Sequence, residues 1–101
     1  MSTNRHQGLE RVDEEILAEK AAALGRAGER LEQALAEVTR LAAALDAATE
    51  LQARQRLSGQ YEEARARAAR ARLGLMIQRE AVGLRHHRIV DQQYPEPPRR
   101  L

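Results

Sequence analysis

The chain has 101 residues, enough for one domain, and Ala, Leu, Glu, Arg and Lys make up roughly 60% of it. That composition points to long helices, and the absence of Cys excludes disulfides and thiolate chemistry. The formal net charge is +2, but it is divided unevenly, with six basic and ten acidic side chains in residues 1–50 against eleven and five in residues 51–101.

An acidic half followed by a basic half suits two helices that pair within a hairpin or between chains. The competing reading is a basic surface for nucleic acid, although a hairpin would neutralise much of the field that phosphate binding needs. With no Phe or Trp and only two Tyr, the core is built on Ala and Leu. Such a core is thin at about 25 cal/mol per Å² of buried apolar surface. For so small a chain, oligomerisation is the expected remedy. The first eight residues lack an apolar run of the secretory kind, and nothing approaches the ~18 apolar residues of a membrane span. The default expectation is therefore a soluble, cytoplasmic protein.

Residues 1–8 read as a polar lead in which Ser2, Thr3, Asn4 or Gly8 can cap a helix. A first helix is expected over about 9–57. Leu17, Leu24, Leu31, Val38 and Leu45 recur at heptad spacing, with Ala27, Ala34, Leu41 and Ala48 completing the same face. Asp13, Glu14 and Glu15 suit the positive end of its dipole, and Arg54 and Arg56 the negative end. Gly25 and Gly28 each cost about 1 kcal/mol against Ala. With Ala21 they place small side chains on successive turns, where a partner backbone could approach closely. Ser58-Gly59 marks the expected turn, 58–60.

The second helix is expected over about 61–92, with Tyr61, Ala68, Leu75, Val82 and Ile89 along its seam and no break at Gly74 or Gly83. The hairpin domain then covers 1–93. Residues 94–101, with three prolines and two arginines, form an extended tail that satisfies a PxxPxR pattern. The fold class is all-α: two long antiparallel helices.

Two features argue for a dimer. Helix 1 outruns helix 2, which leaves Val12, Ile16 and Leu17 on an overhang. At 100° per residue, Leu73, Ile77 and Leu84 lie opposite Leu75 and Val82, so helix 2 is apolar on two sides. One hairpin cannot cover both. The expected assembly is a homodimeric four-helix bundle whose interface holds Val12, Ile16, Leu17, Leu24, Leu73, Ile77 and Leu84.

Nothing specifies a chemistry, so the expectation is a non-enzyme without cofactor or metal. His86 and His87 are adjacent and diverge by about 100° on a helix, and no Glu-x-x-His pair of the di-iron kind is present. Glu80, His87 and a carboxylate of helix 1 are the sole candidate metal set, and a hydrogen-bonded helix end is the plainer reading. Arg65, Arg72 and Arg79 form a heptad row read either as a coiled-coil flank, paired with Glu32, Glu50 or their counterparts in a partner chain, or as a phosphate stripe. No helix-turn-helix pattern or aromatic platform accompanies them.

Two blocks resemble a family of short, all-helical bacterial proteins of unknown function. They are EILAEKAAALGRAG, from Glu15 to Gly28, and QREAVGLRHHR, from Gln78 to Arg88. Leu73-Gly74-Leu75-Met76-Ile77 stands where that family's pattern places aromatic residues. The resemblance implies a small helical protein and carries no catalytic residues. It does single out a polar cluster, Lys20, Arg26, Arg79, Glu80, Arg85 and His87. The reading reached is a non-catalytic structural or protein-interaction module, with a nucleic-acid-associated protein as the alternative.

Overall fold

A computed structural model describes the backbone of residues 2–100 and the side chains of residues 8–100. The capping candidates Ser2, Thr3 and Asn4 have side chains outside the described residues, and so has Leu101 at the end of the tail. Helix α1 spans Ser2–Ala47, α2 spans Leu51–Ala81, and a short α3 spans Arg88–Gln93. No strand occurs among the described residues.

The two long helices form the hairpin expected from the heptad rows. Its extents are 76 × 21 × 14 Å and its radius of gyration is 20.0 Å, against about 13 Å for a compact globule of this length. The molecule is a rod.

The turn lies at residues 48–50, about ten residues before the expected 58–60. The cause is visible in the heptad row itself. After Leu45 and Ala48 the next seam position is Gln52, and Arg56 follows on the same face. Continuing α1 would bring polar groups onto the apolar stripe. The chain reverses instead, and Ser58 and Gly59 fall inside α2.

No glycine or side-chain cap marks this turn. Glu50 precedes α2 in an extended conformation and makes no side-chain cap bond. The carbonyls at the end of α1 are met by Arg54, whose Nη1 donates to Leu45 O at 3.0 Å and to Ala48 O at 2.8 Å. A cation at a helix C-terminus is favoured by the dipole. Arg54 thus serves the end of α1 as expected, but from the helix that follows it.

Helix α2 stops at Ala81, about eleven residues before the expected end. Gly83 has φ of 91°. Leu84 N donates to Arg79 O and Gly83 N to Glu80 O, both at 2.9 Å. This is a Schellman cap, and glycine is the residue that enters the left-handed region without strain. The break resets the register. Ile89, expected in the seam, is 56% exposed, and Val90 is buried in its place.

The core has two parts. Val38 and Leu41 of α1 meet Tyr61, Ala64 and Ala68 of α2 near the turn. Further along, Ala27, Leu31, Leu75 and Val90 form a second cluster flanked by Leu24, Ala71, Met76 and Tyr94. Leu24 therefore packs within its own chain, unlike the other residues expected at the interface. Helix α1 runs unbroken through Gly25 and Gly28, and a Cβ built at either meets nothing within 4 Å. The close backbone approach expected there is not made within the hairpin.

Candidate functional site

Three surfaces carry the features that the sequence singled out: the groove holding the C-terminal residues, the polar end of α2, and the uncovered apolar faces.

The groove between α1 and α2 holds the chain's last residues. They are extended, as expected, but do not project as a free tail. From α3 onward they run back towards the turn, antiparallel to α2, as a strap. Val90 anchors the strap in the second core cluster. The Tyr94 hydroxyl donates to Glu32 Oε1 at 2.6 Å, and the Tyr61 hydroxyl donates to Pro98 O at 2.6 Å. Both tyrosines of the chain thus tie strap to hairpin. Arg100 bonds Asp46 and stacks 5.4 Å from the centre of the Tyr61 ring, a cation–π distance.

The heptad row of arginines faces this strap and the turn that leads into it. Arg65 Nε donates to Pro97 O at 3.1 Å, Arg72 Nη1 to Tyr94 O at 2.6 Å, and Arg79 Nη2 to His86 O at 2.8 Å. Arg72 also pairs with Asp91, and Arg65 with Glu62. The carboxylates expected as partners, Glu32 and Glu50, are not theirs. Glu32 accepts from Tyr94, and the arginines read main-chain carbonyls. The signal was in the sequence as a row of three, but their partner was a segment whose backbone has no side-chain signature.

The polar cluster divides. Arg79, Glu80 and His87 come together because the Gly83 cap folds the chain back. His87 Nε2 donates to Glu80 Oε1 at 3.1 Å while Nδ1 accepts from Arg79 Nε at 3.4 Å. Arg85 lines an open hollow beside Glu80. Lys20 and Arg26 lie apart on α1, along a shallow groove with Ile16, Glu19 and Gln78. No group of three His, Cys, Asp or Glu residues is placed to hold a metal ion among the described residues.

Electrostatic shifts mark the strap contacts. The hydrogen bond from Arg100 holds the Asp46 carboxyl below the usual aspartate value. The bond to Glu32 holds the Tyr94 phenol above its usual value, because ionisation would set two negative oxygens together.

The apolar faces are uncovered as the length argument requires. Val12, Ile16 and Leu17 are exposed on the α1 overhang, Leu17 at 63%. Leu73 and Ile77 are exposed on the outer side of α2, Leu73 at 59%, and Leu84 is exposed in the turn after it. Leu9, which the sequence reading passed over, continues the same overhang stripe. No described helix is long and apolar enough to cross a membrane. Comparison of the chain with protein-family models, curated proteins and solved structures gives no match.

Proposed function

We propose that the protein is a non-catalytic interaction module that works through helix–helix packing, and that its first partner is a second copy of itself. The observation that carries this is the continuation of the α1 seam past the end of α2. At 100° per residue Leu9, Val12 and Ile16 point the same way as Ala27, Val38 and Leu45, yet α2 has ended before it can cover them. Nine large hydrophobic side chains are exposed among the described residues, a longer roll than the large ones buried. A contiguous apolar stripe with charged flanks marks an interaction surface.

Two uncovered apolar faces on one chain favour a second copy. Asp13, Glu15 and Glu19 border the overhang stripe, with Lys20 beside them. Arg70 shares the outer face of α2 with Leu73 and Ile77, and Glu63 and Glu80 flank it. An overhang laid on the partner's α2 sets apolar against apolar. By two-fold symmetry the contact is made twice.

The chain contains no cysteine, which gives a direct test. Ile16→Cys and Ile77→Cys chains, mixed and oxidised, form the mixed disulfide in preference to either like pair. Random pairing, or no cross-link, counts against the arrangement.

A nucleic-acid role is the second reading, resting on the basic balance of residues 51–101. Arg65, Arg72 and Arg79 are engaged with the chain's own carbonyls, which supports the first reading over it. Binding to DNA or RNA that persists at about 50 mM salt and falls steeply with added salt would favour the second.

A further inference from the structure

The last residues lie in their groove as an extended peptide lies in a receptor. Seven helical residues rise about 10.5 Å, and three residues of polyproline II advance about 9.3 Å. Arginines one heptad apart on α2 are thus in step with carbonyls three apart on an extended strand. Arg72 meets Tyr94 O and Arg65 meets Pro97 O on this spacing, and Tyr61 meets Pro98 O beyond them. All three donors read main chain. Side-chain discrimination comes from two places: Glu32, which receives the Tyr94 hydroxyl, and Asp46, which receives Arg100.

The fit is incomplete. A partly open hollow of about 80 Å³ remains between Leu31, Leu35 and Ala68 on the helices and Pro95 and Pro97 of the strap. The strap is therefore an imperfect filler of its own groove, held by a short tether through the Gly83 turn.

We propose that this groove is a binding site for an extended, proline-containing segment of another protein, with an aromatic residue at the place of Tyr94 and a basic one at that of Arg100. Residues 94–100 occupy the site in cis and must leave before such a segment enters. Main-chain recognition in register with a polyproline strand makes the groove tolerant of sequence between those two anchors. The overhang and the outer face of α2 are separate surfaces, so the proposal stands or falls independently of self-association through them.

The test uses the full chain with Val90→Asp, which loosens α3 and leaves the groove residues unchanged. A fluorescein-labelled peptide of residues 88–101 is the probe. The loosened chain is expected to bind it saturably at micromolar concentration. Wild type binds at least tenfold more weakly, because the tethered strap competes at about millimolar effective concentration. Adding Arg65→Ala and Arg72→Ala to the loosened chain lowers affinity at least tenfold. Tyr94→Ala serves as a second loosened chain, and circular dichroism checks that each remains helical. Helical loosened chains that ignore the peptide, or bind it equally without the two arginines, overturn the proposal. So does a wild-type dimer that Tyr94→Ala dissociates, which would assign the groove to strap exchange between copies.

Discussion

Gly59 and Gly83 show one residue type in two roles. Gly59 lies within α2 with open space around its Cβ direction, so its freedom of backbone serves no visible purpose there. Gly59→Ala is expected to raise stability by about 0.5–1 kcal/mol, from the helix preference of alanine. Gly83 sits at φ of 91°, and Gly83→Ala is expected to lower stability by about 1 kcal/mol or more. Urea denaturation of both variants, read by helix signal, gives the two opposite signs. Equal effects would contradict the placement of the turns. From the sequence, Ser58-Gly59 was expected to turn and Gly83 to lie inside a continuous helix, and the two roles are the reverse. Gln52, falling where the heptad row calls for an apolar residue, was the legible sign that α1 had already ended. At the same scale, Leu31 and Leu41 are each nearly fully buried. Replacing either with Ala should cost about 2–5 kcal/mol.

At the scale of elements, the long helices and their antiparallel pairing were readable because a 3.6-residue period repeats many times in each. The strap was not, because its hold on the hairpin runs through carbonyls that every residue has. Its two anchors titrate in opposite directions. The Tyr94 phenol is raised by its bond to Glu32. That contact stabilises the strap at pH below the phenol's ordinary value and is lost as pH rises through the raised one. Asp46 is lowered by Arg100. Its contribution is present above the ordinary aspartate value and is lost as pH falls through the lowered one. Strap loosening, followed by NMR of the Val90 methyl groups, is expected at the alkaline end in wild type, and Tyr94→Phe weakens that step. Asp46→Asn removes the acid-side step and leaves the alkaline one. A strap that stays docked through both limits would contradict the assigned contacts.

For the whole molecule, the governing fact is the mismatch between helices of 46 and 31 residues. A two-helix rod buries one stripe per helix, and this chain has more apolar surface than that. The mismatch was legible from the sequence even though both expected boundaries were displaced, because it depends on where the apolar rows begin and end. Sedimentation equilibrium of the wild-type chain and of Ile16→Glu, across micromolar concentrations, tests the account most directly. The expected result is a wild-type mass twice that of the chain and a single-chain mass for Ile16→Glu with its helices intact. A fully helical wild-type chain that sediments at its own 11.3 kDa throughout would contradict it.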